Sequence, residues 1–156
     1  MAIPLSITPA APGDAPAIAH LSRVTIEHDM PWRYTPARAG KMIRDRDFNV
    51  IVARDGPTLA GFGSMRYDDD TAHLYLLAVD PRYRRKRVGD ALLSWLETSA
   101  LTAGIGIITL ECRATNQQAL SFYQRAGYRE LARLTGYYLG REDAIRLGRD
   151  LHAESQ

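Results

Sequence analysis

The residue types best suited to chemistry lie in one run, Ala78-Val79-Asp80-Pro81-Arg82-Tyr83-Arg84-Arg85-Lys86-Arg87-Val88-Gly89-Asp90-Ala91-Leu92-Leu93. An apolar segment ends at Val79, a basic loop follows, and an amphipathic pattern opens at Val88. The first turn of a helix has unpaired backbone N–H groups and the positive end of the helix dipole. A diphosphate suits such a place. Gly89 lets the backbone come close to a ligand, and the basic side chains add charge that could engage a further phosphate. The run by itself points to a phosphate-bearing ligand. A solvated basic loop and an RNA-binding or nuclear-localisation patch are other readings of the same residues.

Three further side chains could do chemistry. Glu111 sits near the end of the apolar run Ile105–Cys112, and a carboxylate there needs a partner or a purpose. The structural reading is a salt bridge to Arg113. His73 stands at the start of the apolar segment Ala72–Val79, where a histidine is usually structural. Cys112 is the one cysteine, which excludes an internal disulfide and a multi-cysteine metal site, and it reads as a small buried apolar residue. Asp68-Asp69-Asp70 reads as a polar turn. Three consecutive residues cannot all face one ion, no second cluster is evident, and no metal is expected.

The elements that must position these groups follow from the apolar spacing. The 156 residues fit one domain, 1–156, with 46% hydrophobic and 24% charged residues. Twenty Lys and Arg against eighteen Asp and Glu leave a net charge of only +2, which argues against a dedicated nucleic-acid binder. The N-terminus has no basic stretch leading into an apolar one, so no secretory signal is expected. No apolar run approaches the roughly 20 residues needed to span a bilayer. The expectation is therefore a cytoplasmic protein without membrane contact.

Ile3–Thr8 reads as a strand, broken by Pro9, Pro12 and Gly13. Asp14 can cap the helix that follows, which ends by Met30-Pro31-Trp32. A short helix is predicted from Pro36 to about Asp45. Three strands come next, Phe48–Arg54, Thr58–Tyr67 and Ala72–Val79, with Gly61 and Gly63 as weak points or bulges in the second. The helix opening at Val88 ends near Gly104. After strand Ile105–Cys112, Asn116 can cap a helix that stops at Gly127, and strands near Tyr128–Leu134 and Glu142–Arg149 close the chain. The strand–helix–strand unit 72–112 implies a parallel pair with a right-handed crossover.

Two motifs carry a family resemblance. The run Ala78–Leu93 resembles motif A of the GNAT superfamily of acetyl-CoA-dependent N-acetyltransferases, whose loop reads Gln/Arg-x-x-Gly-x-Gly/Ala. Arg84 and Gly89 match its ends, and Arg87 stands in place of the first glycine. If that position needs a positive φ, a non-glycine residue costs on the order of 1 kcal/mol. Asn116-x-x-Ala119-x-x-Phe122-Tyr123-x-x-x-Gly127-Tyr128 resembles the family's motif B. The resemblance implies an α/β fold, with a mixed, mostly antiparallel sheet of about seven strands, a central parallel pair and helices on both faces. It implies transfer of acetyl from acetyl-CoA directly to a primary amine.

By the same resemblance, Leu77, Ala78 and Val79 lie beside the pantetheine arm. The loop of Arg84, Arg85, Lys86, Arg87, Val88, Gly89 and Asp90 cradles the pyrophosphate. Asn116, Ala119, Phe122 and Tyr123 complete the cofactor side. A backbone N–H near Val79 would polarise the thioester carbonyl. Tyr123 resembles the tyrosine that acts as general acid towards the sulfur, while Glu111 and His73 are the candidates for general base.

Pro31-Trp32, Leu110-Glu111-Cys112-Arg113-Ala114-Thr115-Asn116 and Tyr137-Tyr138 look like their counterparts in bacterial ribosomal-protein-alanine N-acetyltransferases and related protein N-terminal acetyltransferases. Trp32, Tyr137 and Tyr138 would then border a substrate groove, although the tyrosine pair could equally pack on the last hairpin. The acceptor implied is a ribosomal or other protein N-terminus. A polyamine, an aminoglycoside and a lysine side chain stay open, as do a homodimer and a non-catalytic RNA-binding module on the same fold. An α-amine has a pKa of about 8 and a lysine amine about 10.4, so an α-amine needs roughly 3 kcal/mol less to deprotonate.

Overall fold

One sheet of seven strands organises the described residues, 5–153 of the computed structural model. The strands are β1 (Ser6–Pro9), β2 (Phe48–Asp55), β3 (Thr58–Tyr67), β4 (Thr71–Val79), β5 (Ile107–Arg113), β6 (Arg129–Tyr138) and β7 (Glu142–Asp150). Their order across the sheet is β1-β2-β3-β4-β5-β7-β6. Only β4 and β5 pair in parallel; the other five pairings are antiparallel. Ile3 and Pro4, the start of the expected first strand, lie outside the described residues. Pro9 does not break that strand but ends it on the sheet edge, where a missing N–H costs least.

Helices cover both faces. α1 (Ala15–Thr25) and α2 (Pro36–Arg44) pack with Val50, Val52, Phe62, Leu76 and Ala78 on one face. α3 (Val88–Thr102) and α4 (Gln117–Arg125) cover the other, over Ile51, Met65, Leu74, Ile108 and Leu110. The element order matches the one read from the apolar spacing. Asp14 differs from expectation. Its side chain does not cap α1 but turns back to accept the Ala11 N–H at 2.8 Å and to pair with Arg54, tying the start of α1 to β2.

Gly61 and Gly63 do more than weaken β3. A Cβ on Gly61 would lie 2.7 Å from the Ala78 carbonyl oxygen and 3.1 Å from Leu92, and one on Gly63 would lie 2.9 Å from Leu96. Their bare backbone lets α3 sit close against the sheet. The β3 bulge falls beside Gly61, where Ala53 pairs with Gly61 but Arg54 pairs with Leu59.

A second bulge decides the geometry of the site. Ser64 pairs with Leu76, but Met65 pairs with Leu74, which leaves Tyr75 as an extra residue in β4. The extra residue reverses which side chains face which layer. Ala72 and Leu74 belong to the core under α3, while Leu76 and Ala78 belong to the core under α1 and α2. Beyond the bulge β4 leaves β5: the parallel register runs from Thr71↔Ile107 to Leu74↔Leu110 and stops. The ends of the two central strands therefore diverge into a cleft, with α3 starting at the end of one and α4 at the end of the other.

Candidate active site

The loop from β4 to α3 is a nest of unpaired donors. Arg85 and Arg87 both adopt left-handed backbone, with φ of 65° and 61°. From Arg85 to Asp90 no backbone N–H has a hydrogen-bond acceptor among the described residues. Successive N–H groups in such a conformation form an anion-binding concavity, and here it continues into the first turn of α3. Its base is fixed. Asp80 accepts from the Arg82 backbone and guanidinium at 2.9 Å, and the Tyr83 hydroxyl donates to Asp55 at 2.8 Å. Arg82 is thereby engaged, whereas the side chains of Arg84, Arg85, Lys86 and Arg87 are exposed around the nest.

Arg87 thus occupies the position where glycine is easiest. Arg87→Gly should stabilise the protein by up to about 1 kcal/mol by relieving the left-handed strain. Urea unfolding checks this; a destabilised variant would mean that the Arg87 side chain contributes more than its backbone costs.

The cleft wall has donors of its own. The Asp80 N–H donates to the Ala60 carbonyl at 2.8 Å, and the Ala78 carbonyl is turned towards Gly61. Strand backbone groups alternate sides, so Leu77 and Val79 direct theirs away from β3 and into the cleft. Gly89 lies in the first turn of α3, and a Cβ there would sit 3.4 Å from the Phe122 ring. Phe122, on α4, thus packs on the start of α3. Asn116 caps α4 by accepting the Ala119 N–H at 3.1 Å, as its position suggested.

Tyr123 is buried on α4, its ring edge-on to Phe122 and Tyr128. The Tyr128 hydroxyl is committed to Glu97 at 2.9 Å, and Glu97 is also held by Arg149 at 2.7 Å. The Tyr123 hydroxyl has no hydrogen-bond partner among the described residues. Burial, with Cys112 nearby, raises its pKa far above the usual range for tyrosine, so it is a neutral O–H donor. Cys112 is buried too, and burial pushes its thiol up to about 11, away from nucleophile chemistry.

On the α1–α2 face of β5, Glu111 collects three donors. Oε1 accepts from His73 Nε2 at 2.9 Å and from the Tyr137 hydroxyl at a longer 3.3 Å; Oε2 accepts from Arg146 Nε at 2.8 Å. The partner of Glu111 is thus Arg146, directly opposite on β7, and not Arg113 as its neighbour in sequence suggested. Arg113 instead meets Asp29 at 2.7 Å and Glu142 at 3.5 Å. Burial alone would raise the Glu111 pKa, but the hydrogen bonds and charges of His73 and Arg146 outweigh it and hold it down to about 2.

An ionised carboxylate only accepts hydrogen bonds, so His73 Nε2 carries the proton in this arrangement. Nδ1 faces the Thr109 hydroxyl at 2.7 Å. Both ring nitrogens are therefore occupied, and the lone pair of a neutral His73 points to Thr109. A carboxylate has about four acceptor sites, and Glu111 keeps one of them unused.

The depressed pKa has a consequence for stability. Relative to the unfolded chain, Glu111 stabilises the fold above about pH 4.5, and this contribution is lost as pH falls towards about 2. The stability gap between the wild type and Glu111→Gln should therefore be widest near neutral pH and narrow on acidification to pH 3. Denaturant unfolding at the two pH values measures it; a gap independent of pH would contradict the assigned ion pairs.

Aromatic rings from three elements extend from the Glu111–His73 pair. Tyr75, on the β4 bulge, meets the His73 ring edge-on at 4.8 Å. Tyr34 and Tyr137 both lie within electrostatic reach of Tyr75. Glu27, buried, accepts from Ser22 and from the Arg33 and Tyr34 backbone N–H groups, and so shapes the α1–α2 loop that brings Tyr34 in. In β6, Leu134 pairs with Ala144 but Tyr138 pairs with Glu142, and this irregularity precedes the pair Tyr137-Tyr138. Trp32 gives its indole N–H to the Ala19 carbonyl at 3.2 Å, with Arg23 over its ring, and so fastens the loop to α1.

Sequence reasoning passed over Arg146, Thr109, Tyr34, Tyr75 and Glu27. The first two become visible only through strand register, the others through a bulge and a loop. Among the described residues no group of three or more His, Cys, Asp or Glu side chains gathers in a metal-binding arrangement, and no helix is long and apolar enough to cross a membrane.

Comparison with known proteins agrees with this geometry. A model of the Acetyltransferase (GNAT) family matches residues 17–128. The [ribosomal protein bS18]-alanine N-acetyltransferase of Escherichia coli (strain K12) is 33% identical over 85% of this chain and 88% of its own. The crystal structure of the ribosomal-protein-S18-alanine N-acetyltransferase from Escherichia coli superposes with a TM-score of 0.83, at 28% identity and covering 94% of each chain. PaiA N-acetyltransferase from Thermoplasma acidophilum, solved in complex with coenzyme A, has a TM-score of 0.79 over 94% of this chain and 98% of its own; at 20% identity it speaks for the fold alone. With the diverging central strands, the donor nest at the head of α3 and these matches together, the chain belongs to the GNAT family of acetyltransferases.

Proposed function

We propose that the chain transfers acetyl from acetyl-CoA to the α-amine of a protein N-terminus. The fit to acetyl-CoA rests on the nest: the free N–H groups from Arg85 to Asp90 and the basic side chains of Arg84 to Arg87 suit a pyrophosphate and a further phosphate. Leu77, Ala78 and Val79 would line the pantetheine arm in the cleft. Bound there, acetyl-CoA supplies the acetyl group as a thioester. The Val79 N–H is turned to the side where a carbonyl oxygen would need a donor. Tyr123, neutral and without a partner, donates to the departing sulfur.

One observation carries the choice of acceptor: the Glu111 carboxylate, ionised and donated to three times, by His73, Tyr137 and Arg146. With a pKa near 2 it is a feeble base. Its remaining lone pair can hold an amine by accepting one N–H, and water then takes the proton that the amine sheds. Such a site suits an amine that is already partly neutral near pH 8. A lysine amine would need roughly 3 kcal/mol more, which nothing beside Glu111 supplies. Tyr137 and Tyr138 then flank the peptide, and Glu111, positioned by His73, holds the amine rather than strips it.

A thiol-release assay over N-terminal peptides, polyamines, aminoglycosides and peptides with a blocked N-terminus and a free lysine tests the proposal. The expected result is a kcat/KM at least tenfold higher for the free α-amine peptides. Preference for a polyamine or a lysine would overturn the assignment of the acceptor.

A further inference from the structure

We infer that Arg113 recognises the backbone of the acceptor, donating from Nη2 to one of its first two peptide carbonyls. This deepens the proposed function and rests on the acceptor being a peptide. Arg113 Nη2 is buried and has no acceptor among the described residues. A guanidinium carries five donors, and burying one of them unpaired is unfavourable. Nothing in the packing accounts for that cost.

The placement of Arg113 does account for it. Thr109, Glu111 and Arg113 alternate with the buried Ile108, Leu110 and Cys112 along β5, so all three share the face that bears His73. Arg113 is the next residue beyond Glu111 on that face, about 6.6 Å along the strand. Two residues of an extended peptide cover the same distance. A peptide whose amine rests on Glu111 thus brings its first carbonyls level with Arg113.

The surroundings of Arg113 can make room. Its other contacts are Asp29 at 2.7 Å, Glu142 at 3.5 Å, and the Tyr138 ring with its centroid 6.0 Å from the guanidinium carbon. Asp29 is 55% exposed and comes from the α1–α2 loop. An ion pair to so exposed a carboxylate contributes little. Asp29 and Tyr138 also line a cavity of about 170 Å³ between that loop and the β6–β7 turn. A shift of Asp29 or a turn of the Tyr138 side chain opens Nη2 to this cavity, and such side-chain changes on binding are common. Glu142 stays beside Nε and keeps the guanidinium plane in place. A polyamine has no carbonyl to offer, so Arg113 adds selectivity that Glu111 alone lacks.

The test uses the full chain, acetyl-CoA and an alanine-led tetrapeptide amide. Two analogues carry a thioamide, a weak acceptor of nearly the same shape, at the first or the second peptide bond. In the wild type one of the two should lower kcat/KM about tenfold. In Arg113→Gln the oxo peptide should lose about as much, the thioamide penalty should fall to near onefold, and the KM for acetyl-CoA should not change. Arg113→Lys, which keeps the charge but lacks Nη2, should behave like Arg113→Gln, and it serves if the glutamine variant does not fold. A wild type that is indifferent to both thioamides, or a penalty that persists undiminished in the variants, overturns the inference. Absence of turnover on the parent peptide, with turnover of a polyamine, overturns the proposed acceptor and this inference with it.

Discussion

Tyr123→Phe should lower kcat by about 10²- to 10⁴-fold, the range of a lost general acid, with the KM for acetyl-CoA nearly unchanged. The substitution deletes one hydroxyl and keeps the ring, so its packing against Phe122 and Tyr128 survives. No protein hydrogen bond among the described residues is lost with it. Stability should therefore hold. Tyr128 is the built-in comparison. It is also buried, but its hydroxyl is committed to Glu97. Tyr128→Phe leaves the Glu97 carboxylate with one donor fewer, so it should lose stability and keep its rate. Steady-state kinetics and denaturant unfolding on the two variants separate the roles. An unchanged kcat in Tyr123→Phe would remove the tyrosine from the chemistry.

The same residue shows what burial does to an acid. With its pKa raised so far, Tyr123 does not give its proton outright to a thiolate whose own pKa is about 8.5. In the proposed reaction it would act as a hydrogen-bond donor to the developing charge. The rate should therefore show no alkaline limb from Tyr123 below pH 10.

Glu111→Gln has the second large effect. It should lower kcat/KM for an α-amine peptide by about 10²-fold, the scale on which a buried, charge-paired partner is lost. The amide cannot accept from His73, Tyr137 and Arg146 together and still offer an anionic lone pair to the substrate. It also leaves the Arg146 guanidinium without its carboxylate. The pH profile distinguishes a holding carboxylate from a base. If Glu111 holds the amine, log kcat/KM in the wild type rises with pH to a plateau set by the substrate amine, near pH 8. Peptides whose α-amines differ in pKa should move that rise by the same amount. Arg146→Gln should raise the Glu111 pKa towards the ordinary carboxylate range and introduce an acid limb near pH 4, while leaving the rise near pH 8 in place. A rise that ignores the substrate's pKa and follows an enzyme group would restore a general base to the site.

How much of this could be read beforehand varies from residue to residue. The strand-to-helix loop was legible, because a basic run between an apolar strand and an amphipathic helix is a local pattern. The replacement of the motif's first glycine by Arg87 raised the condition of a positive φ at that position, and the structure has φ of 61° there. The caps at Asn116, Gly104 and Gly127 are local as well. The carboxylate site was only half legible. Glu111 stood out as a charge in an apolar strand, but Arg146 lies 35 residues away and meets it only through the β5–β7 register. The extra residue at Tyr75 left no mark, since the alternation of buried and exposed residues in β4 runs through it unbroken. Yet this bulge opens the cleft. Asp14 shows the opposite error: its type and position fit a helix cap, and tertiary pairing with Arg54 took the side chain elsewhere.

The central claim is that the cleft delivers acetyl to an α-amine held on Glu111. Its most direct test is to incubate the protein with acetyl-CoA and an alanine-led peptide that carries both a free N-terminus and an internal lysine, and to locate the added acetyl by fragment mass spectrometry. The account predicts acetyl on the α-amine, a lysine signal at least tenfold weaker, and loss of the α-signal in Glu111→Gln and in Tyr123→Phe. Acetyl found chiefly on the lysine, or an α-signal undiminished in both variants, would contradict it.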